Sequence, residues 1–523
     1  MNTTRTAASV SALILAAGAA LGLAAPAAQG TPVAAASSAA TASVRFTDIP
    51  GSGGVTLKGN VFTPAGYDGS QHYPVIVLPS SWGINDLEYL AQAGSLADSG
   101  YVVVSYTPRG FWLSGGEIDV AGPKDVADAS AVIDWTLANT PADPARIGMA
   151  GVSYGAGISL LSAAHDKRIR AVTALSGWAD LVASIFSGRT QHLQSAALLG
   201  GSAYLTGRPS AEFQQVLADF LGPVYDNEDE LTAWGKLRSP ATYLDEINGG
   251  GAAVMLANSW GDSIFPPNTY ADFYDRLTVP KRLEFRPGDH ATSEATGLLG
   301  LPNDVWTDAH RWFDHYLKGA PNGIDTQAPV QLESRNGSDG YEGYAAWSAV
   351  PTATRELRFG GTRTIATNID SGADGGVIFL TSLLDQIAQA PPVVSVPLLP
   401  RAVAAVWQTG GYATAQHIRG TVKLSTTVTP SAAEGTFIAC LYDVDALGTG
   451  KLITHAPYTF TGRSPGTSFG VDLELFSTAY DVPAGHRLAL VIDTVDPLYI
   501  EHNPAFSSLA LTSPEVSVPV SER

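Results

Sequence analysis

Cysteine is all but missing from this chain, with one, Cys440, in 523 residues. That excludes an intramolecular disulfide and a cysteine-rich zinc site. Its apolar neighbours Phe437, Ile438, Ala439 and Leu441 mark a buried strand residue rather than a reactive thiol. Positive charge is scarce as well. Lys and Arg number 30 against 49 Asp and Glu, a formal net charge of −19. This argues against nucleic acid or an anionic membrane surface as a partner, because phosphate binding needs Lys and Arg to displace counterions. No apolar run long enough to span a bilayer occurs after residue 25. What is present is a globular composition, 45% apolar and 15% charged. The chain exceeds the roughly 250–300 residues at which a single core stops growing, so two or three domains are expected.

Residues 1–43 carry one charge, Arg5, then an apolar run over 7–25 and a stretch rich in Ala, Pro and Ser. This is the layout of a secretory signal peptide, with Ala25-Pro26-Ala27 as one candidate cleavage region. The rival reading is an uncleaved anchor, since the run nearly matches a bilayer. Its Ala and Gly content makes it weakly hydrophobic and favours export, to the medium or the cell wall. No cysteine follows it, so it is not a lipoprotein signal.

From residue 44 to about 319, short β-branched runs alternate with helical stretches, the signature of a mostly parallel sheet covered on both faces. Strands are expected at 55–62, 74–78, 101–106, 146–152, 169–176, 252–258 and 282–286. Between them, Val126, Ala129, Ile133 and Leu137 share one helix face. Residues 178–248 break the rhythm and read as a helical cap inserted over the active site. A helix over 303–318 sets Val305, Ala309, Trp312 and Tyr316 on one face and stops at Gly319. Short runs at 422–428, 436–442, 471–475 and 487–491 then indicate an all-β sandwich, with one further helix expected at 383–389. The expected organisation is a leader at 1–43, an α/β catalytic domain at 44–177 and 249–322, the cap at 178–248 and the sandwich at 323–523.

The segment Gly151-Val152-Ser153-Tyr154-Gly155 fits Gly-x-Ser-x-Gly, a weak pattern in a chain with 54 glycines. Its context strengthens it. An apolar strand enters, and a small-residue helix over 156–164 leaves, so Ser153 sits on a sharp strand-to-helix turn that exposes its hydroxyl. A serine needs a base to take its proton and an acid to orient that base. In an α/β-hydrolase these follow the serine in sequence, each just past a strand end. Asp262 and His290 stand there, the first 109 residues after Ser153 and the second 28 further on. Asp289 reads as a turn or supporting residue, and His165, His310 and His315 as structural histidines. Asp443 and Asp445 lack the glycine and closing glutamate of a calcium loop, so no metal and no cofactor is expected. For the oxyanion hole, one donor is the backbone N–H of Tyr154. The other should come from the loop Pro79-Ser80-Ser81-Trp82-Gly83.

These residues resemble the Xaa-Pro dipeptidyl-peptidase and cocaine-esterase family of serine hydrolases. The resemblance runs over most of the chain after the leader. It rests on Arg109-Gly110 with Ser114 and Gly115, on Gly151 to Gly155, on Trp260-Gly261-Asp262 and on Arg311 to Gly319. Cys440-Leu441-Tyr442-Asp443-Val444-Asp445 looks like part of the family's jelly-roll (galactose-binding-like) domain. The resemblance implies Ser153 as nucleophile, Asp262 as orienting acid and His290 as base. Two departures stand out. Esterase members place a Tyr hydroxyl in the oxyanion hole where this chain has Trp82, which donates only through its indole N–H. The alternative donor is the backbone N–H or hydroxyl of Ser81, with Trp82 lining the acyl pocket. In addition, Thr107-Pro108 replaces the Asp often found before Arg109-Gly110. Long dipeptidyl-peptidase members also carry an extra N-terminal domain, for which too few residues precede the expected hydrolase fold.

The expected activity is hydrolysis of a small ester, or of an amide in a short peptide, through an acyl-Ser153 intermediate. An Xaa-Pro dipeptidyl-peptidase is the alternative and would need an acid, such as Glu228 or Asp229 in the cap, to hold the substrate amine. With no such acid singled out by the sequence, short acyl esters are favoured over Xaa-Pro anilides. A third reading, from another class, is a carbohydrate- or wall-binding protein with an idle hydrolase domain.

Overall fold

A computed structural model describes residues 42–67, 71–337, 340–378, 380–381 and 391–521. The leader over 1–41 and the helix expected at 383–389 lie outside the described residues.

Among the described residues, ten strands form one mixed sheet. They are β1 (Ser43–Pro50), β2 (Thr56–Thr63), β3 (Tyr73–Pro79), β4 (Val102–Tyr106), β5 (Ala142–Val152), β6 (Ile169–Leu175), β7 (Ala253–Ser259), β8 (Lys281–Arg286), β9 (Val330–Glu333) and β10 (Tyr341–Tyr344). Their spatial order is β1-β2-β4-β3-β5-β6-β7-β8-β9-β10. From β4 across to β9 neighbours run parallel, and the outer pairs are antiparallel. Runs such as Val75-Ile76-Val77-Leu78 and Val102-Val103-Val104 are buried throughout, as strands covered on both faces must be. The seven strands expected from sequence correspond to β2 through β8. β1 was not legible, because it is an outer strand with only Ile49 fully buried. β9 and β10 lie C-terminal to residue 322, where the sandwich was expected to begin, so the hydrolase sheet continues across that position.

The helices are α1 (Leu90–Asp98), α2 (Pro123–Asn139), α3 (Tyr154–His165), α4 (Leu181–Ile185), α5 (Leu193–Thr206), α6 (Ala211–Leu221), α7 (Glu228–Lys236), α8 (Leu244–Gly250), α9 (Asn268–Arg276), α10 (Ala295–Leu298) and α11 (Asp304–Lys318). Val126 of α2, Ile158 of α3 and Phe273 of α9 join the core on one face of the sheet. Leu96 of α1 and Trp312 of α11 join the core on the other. The Asn303 side chain caps α11 by accepting from the Trp306 N–H at 3.0 Å. Helices α4 to α7 fall within residues 178–248, read from the sequence as a cap, while α8 packs against α3. Among the described residues no helix is long and apolar enough to cross a membrane.

The C-terminal part is all-β. One antiparallel sheet is built around Ser508–Val520, the other around Gly435–Val444 and Thr449–Phe460. Phe437, Ala439 and Leu441 enter one apolar cluster and Ile438, Cys440 and Tyr442 another, the period-two alternation of a strand buried on both faces. The sulfur of Cys440 is therefore a packed core atom. This all-β part also grips the cap. Thr190 and Thr459 share a hydroxyl hydrogen bond of 2.7 Å, and the His502 ring meets the Gln191 side chain at 2.5 Å. Gln194 donates to the Pro497 carbonyl at 3.0 Å.

Small residues set the distance between α3 and the sheet. A Cβ on Gly151 would lie 2.3 Å from the Gly155 carbonyl carbon, and one on Gly155 would lie 2.1 Å from the Pro79 carbonyl oxygen at the end of β3. Neither neighbour is a side chain that can turn away. Gly155→Ala is therefore expected to destabilise the protein by on the order of 3 kcal/mol. Thermal unfolding beside the native chain is the check, and an unchanged transition would contradict this account of the turn.

Candidate active site

Ser153 joins β5 to α3 with φ 56° and ψ −114°, a backbone conformation that costs a non-glycine residue free energy. It is held there from both sides. Its own N–H donates to the Leu175 carbonyl of β6 at 2.8 Å, while its carbonyl accepts from Ala156 at 3.0 Å in the first turn of α3. The side chain stands at the carboxyl ends of the parallel strands, where α/β sheets place their sites.

Asp262 and His290 follow β7 and β8, and the pairing of those strands continues past their ends. The Trp260 N–H donates to the Arg286 carbonyl at 2.9 Å and the Gly261 N–H to the Gly288 carbonyl at 3.0 Å, so the two loops emerge side by side. His290 Nε2 lies 2.8 Å from Ser153 Oγ, and His290 Nδ1 lies 3.0 Å from Asp262 Oδ2. Asp262 Oδ1 accepts the backbone N–H groups of Ile264 and Phe265 at 3.0 and 2.8 Å. Phe265 in turn packs edge-on against the His290 ring, with centroids 5.2 Å apart. Burial pulls the His290 pKa down, but the Asp262 carboxylate outweighs it and leaves the imidazole above its ordinary value. Asp289 supports both loops. Its Oδ1 accepts from the Ser263 N–H and hydroxyl at 2.8 and 2.7 Å and from the His290 N–H at 2.7 Å.

The oxyanion side departs from expectation at residues 81 and 82. The Trp82 indole N–H points away into the cap, donating to the Leu199 carbonyl at 3.0 Å and the Ser202 hydroxyl at 3.1 Å. Its ring packs edge-on against Tyr154 and Phe111 at 5.1 and 4.9 Å. The indole is thus engaged in holding the cap, which corrects its expected role as a donor. The alternative, Ser81, is engaged too. Glu88 accepts the Ser81 N–H at 2.7 Å and the Ser81 hydroxyl at 2.6 Å. Tyr154 opens α3, so its backbone N–H belongs to the first turn, which has no acceptor within the helix. The Tyr154 phenol lies beneath the site, donating to Asp125 at 2.7 Å and accepting from the Ala121 N–H at 2.7 Å. Thr107, which stands where the resembled family often has Asp, accepts from the Asp86 N–H at 2.9 Å and donates to the Asp86 carboxylate at 3.0 Å, securing the loop below residue 86.

His310, His315, Asp443 and Asp445 are engaged in hydrogen bonds away from the site. His310 meets Gln92 at 2.9 Å and His315 the Ala320 carbonyl at 3.2 Å. Asp443 pairs with His486 at 2.8 Å, and Asp445 accepts the N–H groups of Leu447 and Thr449 in a turn. Glu228 is held by Arg189 through bonds of 2.9 and 2.6 Å, and Asp229 is exposed.

Two glutamates near the site, Glu88 and Glu294, had no sequence signal. Glu294, fully buried, accepts from the Ser176 hydroxyl at 3.0 and 3.1 Å. Burial pushes its pKa from the ordinary 4.5 up to about 7, against the pull of the Ser176 hydrogen bond. Between those two values the folded chain holds a proton that the unfolded chain has released. The contribution therefore favours folding below about pH 4.5 and is lost as pH rises through about 7. Glu294→Gln should flatten the decline in unfolding free energy between about pH 5 and about pH 8 by as much as about 3 kcal/mol. Equal declines in the variant and the native chain, measured by denaturant unfolding, would contradict the burial argument.

A family model described as X-Pro dipeptidyl-peptidase (S15 family) matches residues 53–292. A second, described as the X-Pro dipeptidyl-peptidase C-terminal non-catalytic domain, matches residues 322–519. A putative Xaa-Pro dipeptidyl-peptidase of Streptomyces avermitilis is 23% identical over 485 residues, spanning 76% of this chain and 68% of that protein. Among solved structures, an α-amino acid ester hydrolase superposes over 95% of this chain and 99% of its own, with TM-score 0.68 and 15% identity. A CocE/NonD family hydrolase from Staphylococcus aureus covers 92% of this chain and 94% of its own, with TM-score 0.68 and 14% identity. At such identities the structural likeness is one of fold, an α/β catalytic domain followed by an all-β domain, and the matched family carries the activity class. The chain belongs to the Xaa-Pro dipeptidyl-peptidase and cocaine-esterase family of α/β-hydrolases and is a serine hydrolase.

Proposed function

We propose that Ser153, His290 and Asp262 form the catalytic triad of an acyl hydrolase that opens esters or amides through an acyl-Ser153 intermediate. The observation that carries this reading is the unbroken hydrogen-bonded line from Ser153 Oγ through His290 to Asp262, with links of 2.8 and 3.0 Å. Ser153 attacks the substrate carbonyl as its proton passes to His290 Nε2. The imidazolium then protonates the leaving group, and water attacks the acyl-enzyme by the same route in reverse. Asp262 keeps the Nδ1 proton on the imidazole and stabilises the charge that forms on it. The two backbone N–H groups that Asp262 accepts hold its carboxylate in place against the imidazole.

The developing oxyanion is met by backbone donors. Tyr154 N–H, at the positive end of α3, is one. Glu88 takes the Ser81 N–H, and Glu88 and the Val152 carbonyl engage the Ser81 hydroxyl, so the main-chain N–H of Trp82, next in the loop, is the second. An Xaa-Pro dipeptidyl-peptidase remains the second reading, supported by the description of the matched family and the name of the Streptomyces relative. Export is proposed on the leader pattern of residues 1–43 alone.

Ser153→Ala should lower kcat/KM by at least about 10⁴-fold on any substrate while leaving thermal unfolding in place. A fluorophosphonate should label Ser153 in the native chain and nothing in the variant. Labelling of a different serine, or residual turnover of more than a few per cent, sinks the assignment. Trp82→Phe removes the indole donor but not the main-chain N–H, so kcat should stay within about threefold. A fall of about 100-fold, the loss expected for one oxyanion donor, would return that role to the indole.

A further inference from the structure

The structure assigns an acyl-chain chamber to this site: the space between Ser153 and the cap is built to take an aliphatic chain of medium to long length. The inference rests on the acyl-serine chemistry proposed above and names its substrate class. The chamber opens at Ser153 and extends among α4, α5, α6 and α7, with about 1040 Å³ of open space when the solvent at its mouth is included. Leu199 and Ala196 of α5, Val216 and Leu217 of α6 and Leu231 of α7 are lining residues. Each is only partly buried although it sits within the cap, and Leu199 and Leu217 pack on their other side against the buried core. Phe265 is also part of the lining and touches the His290 ring, which makes the apolar wall continuous with the reacting centre.

Charge decides between substrate classes. Glu228 is the one charged residue of the lining, and Arg189 holds its carboxylate with two hydrogen bonds. A dipeptide N-terminus entering this chamber would therefore leave water without a free carboxylate to receive its ammonium, a costly transfer. An alkyl chain loses nothing on the same path and gains from every methylene buried. At ~0.8 kcal/mol for each, the gain is up to about fourfold in kcat/KM per methylene.

The test is a series of p-nitrophenyl esters, acetate, butyrate, hexanoate and octanoate, with Ala-Pro p-nitroanilide alongside, on the native chain and on Val216→Trp. We expect kcat/KM to rise at least about tenfold from acetate to octanoate. The indole placed in the chamber by Val216→Trp should cut the octanoate-to-acetate ratio at least about tenfold. Because the ratio is taken within one protein, a change in the amount of active enzyme cancels. Ala196→Leu intrudes less and gives the same reading if Val216→Trp does not fold. Acetate turnover and fluorophosphonate labelling with no gain along the series would overturn the chamber and leave the triad standing. Preference for Ala-Pro p-nitroanilide over every ester, lost when its amine is blocked, would overturn it in favour of a dipeptide site. Absence of both labelling and turnover would overturn the serine assignment and the chamber with it.

Discussion

Ser153 occupies a left-handed backbone conformation that its side chain disfavours, and the molecule around it is arranged to leave it no other. Strand β6 takes its N–H, helix α3 takes its carbonyl, and Gly151 and Gly155 let helix and strand ends come within contact distance. Relaxing the turn would require α3 to move off the centre of the sheet, where Ile158, Leu160 and Leu161 are fully buried. Local strain of a few kcal/mol persists only when packing of that size opposes its release. The hydroxyl is therefore presented at a fixed height above the strand ends, and the positions of Asp262 and His290 have meaning only relative to it.

Much of this was legible because parallel strands buried on both faces read as unbroken apolar runs. The runs that became β2 to β8 were visible for that reason, and Asp262 and His290 could be located as the polar residues just past two of them. β1 was not visible because an outer strand buries little, and β9 was not because four residues of alternating burial look the same in a sandwich as at the rim of a larger sheet. The role expected of the Trp82 indole failed for a different cause. Sequence identifies a donor, but which acceptor it finds depends on α5, more than a hundred positions away and brought close only by the folded cap. Glu294 and Glu88 were silent for the same reason, since a glutamate that will be buried looks like any other in the chain.

Three buried carboxylates, Asp125, Asp289 and Glu294, and the partly buried Glu88 lie beneath and beside Ser153, His290 and Asp262, and each meets hydrogen-bond donors. Asp289 links the loop of Asp262 to the loop of His290, Glu88 fixes Ser81, Asp125 holds the Tyr154 phenol and Glu294 holds Ser176. Burial raises the pKa of Asp289, Asp125 and Glu294.

The cap lies between two large bodies. Gly188 at its edge has φ 58°, and a Cβ there would sit 2.0 Å from the Pro457 carbonyl oxygen of the all-β domain. Hydrogen bonds from Thr190, Gln191 and Gln194 secure the same edge. Among the described residues, none of the chamber's lining comes from the all-β domain, yet that domain buttresses the segment leading into α5, which carries part of the wall. It acts on the chamber as a mould acts on a casting, by fixing the outside. Residues 457–461 and 497–502 are thus a place where drift in sequence, or deliberate engineering, would reshape the proposed chamber without altering any residue that lines it.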